Sequence, residues 1–164
     1  MIGDIEAFIK YFHGQRRRTQ WLVDVMPPEK AEWRPWPGEP SPGEIICRIA
    51  AGHRMYATAF AHNYWEVDAY EQAATNWDSA LEYFTENTEY ALDLIRPLPN
   101  QALNQRRRRP DGQETSAWRF LMAMLDHEVS HRSQFSTYLM LLNVPRPRLG
   151  GVTIEVVRQE LRGS

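Results

Sequence analysis

Apolar residues recur at helical spacing in four stretches of the chain, and nowhere do they alternate with polar ones over a convincing strand. From about residue 3 to 26, Ile5, Phe8, Ile9, Phe12, Leu22, Val23 and Met26 share one stripe, which Pro27-Pro28 ends. Residues 32–40 cannot continue a helix, because each proline lacks the N–H and disfavours helix in the residue before it; Trp33 and Trp36 within this stretch predict a loop that packs onto the rest. Ser41, Pro42 and Glu44 then spell a capping box with proline at the first helical position. The stripe that follows is Ile46, Ile49, Ala50, His53, Tyr56, Ala57, Phe60 and Tyr64. After a polar connection at about 67–76, Asn76 can cap a third helix, with Trp77, Leu81, Phe84, Thr88, Ala91 and Ile95 on its face and Pro97 at its end. Pro110-Asp111-Gly112 predicts a turn, since proline presets φ and glycine accepts positive φ. The fourth helix is expected from near Thr115-Ser116 to Asn143, with Phe120, Met124, His127, His131, Phe135, Tyr138 and Leu142 on one face. The tail at 152–162 fits either a short helix or an edge strand. The pattern is that of one all-α domain, a four-helix bundle spanning residues 1–164.

The anomalies are the histidines. His127 and His131 lie four residues apart, so their side chains are separated by about 40° around a helix and about 6 Å along it. Two imidazoles at that spacing can converge on one ion. His53 lies mid-helix on the second apolar stripe, at a depth similar to that of the pair. A lone histidine on such a stripe is usually a core residue bonded to a carbonyl; an inward pair needs two partners. Together the three predict a divalent site, Zn²⁺, Ni²⁺ or Fe²⁺ on His53, His127 and His131, with positions left open for water or substrate. His127-Glu128-Val129-Ser130-His131 also matches H-E-x-x-H, the zinc metalloprotease pattern. The only later carboxylates available as a third ligand, such as Glu155 and Glu160, fall in the last ten residues, and no sheet is predicted to receive a peptide.

Composition narrows the setting. Apolar residues make up 43% of the 164, enough for one core, and the net charge of -2 gives no pull toward nucleic acid or acidic lipid. The run Arg106 to Arg109 reads as a solvated loop. The single cysteine, Cys47, excludes an internal disulfide and fits a reducing cytoplasm. No stretch approaches the roughly 20 apolar residues that span a bilayer, and the start carries acids where a signal peptide carries positive charge.

Several motifs coincide with those of one family. They are Trp33-Arg34-Pro35 with Pro37-Gly38 ahead of the second helix, Ser41 opening it, and His53-Arg54 within it. Asp111-Gly112 precedes the last helix, which carries His127-Glu128-x-x-His131-Arg132-x-Gln134 and closes on Tyr138-Leu139-x-Leu141-Leu142-x-Val144-Pro145. Over nearly its whole length the chain resembles the DinB (damage-inducible) family of four-helix metal-binding proteins. One departure is Ser133, where the family often has glycine. The resemblance implies an up-down-down-up bundle with a long crossover between the second and third helices. It maps the family's metal triad onto His53, His127 and His131. It also implies a metal-dependent thiol S-transferase, in which a low-molecular-weight thiol attacks an electrophile, with a non-catalytic metal- or ligand-binding stress protein as the alternative. Substrate contacts would then come from Arg16 and Thr19 at a polar break in the first helix, Thr88 at a similar break in the third, and Tyr56 and Tyr138. The Trp-rich surface is compatible with a homodimer.

Overall fold

The computed structural model describes residues 3–68, 76–149 and 154–162. The four expected helices are α1 (Ile5–Val23), α2 (Pro42–His62), α3 (Trp77–Ile95) and α4 (Trp118–Leu141), followed by a short α5 (Ile154–Arg162). Residues 152 and 153 of the ambiguous tail lie outside the described residues, and the part that follows is helical. Three N-termini are closed by side chains. The Asp4 carboxylate accepts from the Ala7 N–H. The Ser41 hydroxyl accepts from Glu44, whose carboxylate accepts from the Ser41 N–H. Asn76 and Ser79 exchange the same two bonds at α3. Arg34 grips both oxygens of Glu44 at 2.8 and 2.5 Å, which fastens the proline-rich stretch to the start of α2. Trp33 meets Tyr138 edge-on at 5.5 Å, so that stretch packs onto the bundle as expected.

The basic run departs from the sequence expectation. Arg106–Arg108 forms β1, which pairs antiparallel with β2, Glu114–Ser116. Gly112, at φ +81°, makes the turn between them. Pairing takes Thr115 and Ser116 out of α4, which therefore begins at Trp118. Arg107 is not merely solvated: its guanidinium donates to the Phe60 carbonyl at 2.8 Å and reaches that of Ala61, capping the end of α2.

Two apolar clusters show how the helices run. One gathers Ile5, Phe8 and Phe12 of α1 with Ala57 and Phe60 of α2, Ala91 and Ile95 of α3, and Leu121 and Met124 of α4. The other gathers Leu22 and Val23 of α1, Ile45, Ile46 and Ile49 of α2, Trp77 and Phe84 of α3, and Phe135 and Leu139 of α4. The first cluster thus joins the start of α1 and α4 to the end of α2 and α3, and the second does the reverse. The bundle is therefore up-down-down-up. Helices α2 and α3 run the same way and pack along each other, α2 also packs on α4, and α4 on α1.

Replacing Ser41 by Ala removes the acceptor for one orphan N–H of α2 and loosens the reciprocal bond from Glu44. Urea unfolding of Ser41→Ala is expected to show a loss of about 1 kcal/mol; no loss would mean that Arg34–Glu44 alone holds this end.

Candidate functional site

Between the two apolar clusters lies a polar layer to which each helix gives one side chain. His53 of α2 is fully buried, as is Glu128 of α4, and their Nε2 and Oε2 atoms are 3.2 Å apart. His53 Nδ1 lies 3.0 Å from the hydroxyl of Thr88 on α3. Thr19 of α1 donates to the other oxygen of Glu128. The Thr88 hydroxyl also lies 2.6 Å from the Phe84 carbonyl one turn before it. Burial alone would raise the Glu128 carboxyl, but hydrogen bonds from His53 and Thr19 and the charges of His53 and Arg16 hold it below the usual carboxylate range. Beside this layer, Arg132 donates to both the carbonyl and the side-chain oxygen of Gln15, each at 3.0 Å.

His127 and His131 sit on the flank of α4 rather than in this layer. Both are half-buried, and their rings meet edge to face with centroids 4.6 Å apart. The face of α2 opposite them carries Arg48, Gly52 and Tyr56. The His127 Nε2–H donates to the Arg48 carbonyl at 2.9 Å, which leaves Nδ1 as that ring's lone-pair atom. His131 Nδ1 lies 3.3 Å from the Gln134 side-chain oxygen. Gly52 is required here: a Cβ on it would fall 2.2 Å from His127 Cδ2. Burial pushes both imidazoles below the ordinary histidine value, and the Arg48 charge pushes His131 further the same way. Both rings are therefore neutral bases at pH 7.

The structure thus brings His127 and His131 together and does not bring His53 to them. Among the described residues, no group of three or more His, Cys, Asp or Glu side chains is placed to hold a metal ion. Both ring nitrogens of His53 are already engaged, with Thr88 and Glu128. The donor set present therefore does not fit a three-imidazole centre; it offers two imidazoles, with Arg48 at the α2 position that faces them. Helical geometry is the reason. Residues 48, 52 and 56 follow one another at about 40° per step, whereas His53 is turned about 100° from Gly52. On α4 the buried residues are Phe120, Leu121, Met124, Leu125, Glu128, Arg132, Phe135, Tyr138 and Leu139, so at the level of the histidine pair the buried positions are Glu128 and Arg132, each one residue on from a histidine. Glu128 and Arg132 occupy core positions, which their charge concealed in the sequence.

The other expected contacts separate. Thr19 and Thr88 belong to the polar layer. Arg16 lies over the Phe84 ring at 3.5 Å and donates to Gln20. Its guanidinium borders a cavity between α1 and α3, and burial brings it down to about 10 against the raising pull of Glu128. Tyr56 lies 6.0 Å from the His127 ring. Tyr138 is buried, and burial raises its phenol while the Arg34 and Arg48 charges oppose this. Gln15, Arg48, Gly52, Glu128 and Arg132 were not predicted as site residues. The spacing of Arg48, Gly52 and Tyr56, four by four like the histidines, was the available signal.

The model of the DinB superfamily matches residues 11–135. The chain belongs to the DinB superfamily. Solved structures agree in fold. A DinB-like protein from Bacillus cereus superposes with a TM-score of 0.74 at 21% identity, over 93% of this chain and 100% of that one. A putative DinB member from Exiguobacterium sibiricum gives 0.69 at 19%, over 92% and 99%. YfiT from Bacillus subtilis, described as a probable metal-dependent hydrolase with an unusual four-helix bundle topology, gives 0.59 at 13%, over 82% and 87%. No curated protein matches this chain. Consistent with the DinB bundle, no helix among the described residues is long and apolar enough to cross a membrane.

Two substitutions test the placement. His53→Ala strands a buried carboxylate in this DinB protein, and chemical denaturation should show a loss of about 3–5 kcal/mol; a loss below about 1 kcal/mol would place His53 outside the folded core. Gly52→Ala should forgo the gain of about 1 kcal/mol that alanine brings to a helix interior, and should shift the NMR signals of His127. A variant that gains the full amount with His127 unmoved would contradict the close contact.

Proposed function

We propose that this chain is a small-molecule enzyme whose working groups are His127 and His131 beside Arg48, and that its reaction is transfer of a low-molecular-weight thiol to an electrophile. The observation that carries the reading is the pair itself. Two imidazoles, kept neutral by burial, meet on the flank of α4 beside a fixed positive charge. A neutral imidazole near its working pH is a suitable proton acceptor. One ring of the pair takes the S–H proton; the thiolate sulfur forms a bond to the electrophilic carbon; the leaving group departs with its electron pair and receives the proton from the imidazolium. The Arg48 guanidinium stabilises the anion while it lasts and suits a carboxylate on the thiol. The His53–Glu128 pair positions α2 against α4 and does not touch the reactants. YfiT is described as a probable metal-dependent hydrolase; in this chain, water in place of the thiol would make the same step a hydrolysis.

A second reading, binding without turnover, is favoured by one feature: the His127 Nε2–H is tied to the Arg48 carbonyl.

The test is thiol-dependent consumption of an aryl halide, with and without a chelator, on protein purified without a nickel column. Turnover that persists in chelator and falls about 100-fold or more in His127→Asn and His131→Asn is expected for loss of a general base. Equal rates in wild type and both variants would sink the reading. Activity restored only by added Zn²⁺ or Ni²⁺ would replace the imidazole base with metal-borne chemistry.

A further inference from the structure

A cavity of about 620 Å³ opens where α2, α4 and the hairpin meet. Its volume lies within the range of small-molecule sites, and like them it is mostly apolar with a few charged groups. Met55, Tyr56, Trp65 and Phe120 supply apolar wall, while Arg109 and Arg119 are the cations that border it. The aromatic wall is fixed in place. Trp65 stands edge-on to Tyr56 at 5.9 Å and to Phe120 at 5.0 Å, and its indole N–H donates to the Arg108 carbonyl at 2.9 Å. Arg109 already pairs with Asp111. Arg119 lies 5.0 Å over the Trp118 ring and forms no ion pair among the described residues. No carboxylate side chain lines the cavity among the described residues.

The cavity and the histidine pair share a neighbour: Tyr56, in the cavity wall, also meets the His127 ring. On α4, Arg119, Ala123, His127 and His131 follow at four-residue steps, so they form a slowly turning row about 6 Å apart. From Arg119 to His127 is about 12 Å along the axis, the length of a molecule with two fused or linked rings. Ala123, small and half-buried, keeps the space between them open.

We infer that this cavity binds an apolar, ring-bearing organic acid, with its anionic group on Arg119 and its body against Tyr56, Trp65 and Phe120, directed along α4 toward His127. The inference rests on the proposed reaction only for what happens at the far end, where the occupant would be the electrophile. Binding itself depends on the wall and on Arg119.

The experiment is fluorescence titration of the full chain with anilinonaphthalene sulfonate and with its uncharged parent, phenylnaphthylamine. Wild type should bind the anion, and Arg119→Met should weaken that binding about tenfold, as loss of one charge-assisted contact does, while leaving the neutral dye unaffected. Ala123→Phe, with circular dichroism unchanged, should abolish binding of both dyes, and His127→Asn should bind as wild type does. Unchanged binding of the anion by Arg119→Met, or by folded Ala123→Phe, would overturn the site. Dye binding as expected in a protein with no thiol turnover would remove only the proposed reaction. Turnover on an aryl halide in a protein that binds neither dye would remove only this inference.

Discussion

The hydrogen bond between His53 and Glu128 is the constraint around which this bundle is built. Two ionisable groups, both fully buried, pair at the centre of the core, between two apolar clusters. Burial of such groups is costly unless every lone pair and hydrogen is used. Here Thr19 and Thr88 meet that demand, so all four helices contribute one side chain to a single level. An apolar layer would tolerate a helix sliding by a fraction of a turn; this one does not, because a shift leaves a charge without a partner. The layer therefore sets the register of α1, α2, α3 and α4 together.

That register decides the chemistry on the flank. With Glu128 turned inward to His53, its neighbour His127 is turned about 100° away, onto the backbone of α2 at Gly52. The absence of a Cβ there lets the imidazole approach closely enough to bond the Arg48 carbonyl. The same contact brings the Arg48 side-chain charge within reach of His131. A buried polar pair and a half-buried histidine pair are thus products of one helix rotation. Glu128, which H-E-x-x-H would cast as a catalytic base, is used as the anchor.

The hairpin adds a second level of control at one end. Arg107 caps α2, Trp65 bonds the hairpin backbone, and the result walls a cavity beside Tyr56. The basic run works as a clamp whose middle residue faces inward. Tyr56 belongs both to the cavity wall and to the surroundings of His127, so the cavity and the histidine pair are neighbours along the contact between α2 and α4.

The sequence by itself determined the architecture. Stripe periodicity marked four helices, Ser41 with Glu44 and Asn76 marked where two of them begin, and Pro110-Asp111-Gly112 marked the turn. These signals are local: caps, turns and amphipathic stripes depend on residues within a few positions of one another. The histidine pair was legible for the same reason, since four-residue spacing on one helix fixes its geometry. Tertiary structure decided what stands opposite. Whether His53 or Arg48 faces the pair depends on how α2 is rotated about its own axis, and that rotation is chosen by the burial of Glu128 and Arg132, charged residues that a sequence pattern assigns to solvent. The short hairpin escaped for a related reason, because pairing of Arg106–Arg108 with Glu114–Ser116 is settled by the docking of Arg107 on the end of α2 and leaves no alternating apolar pattern to read.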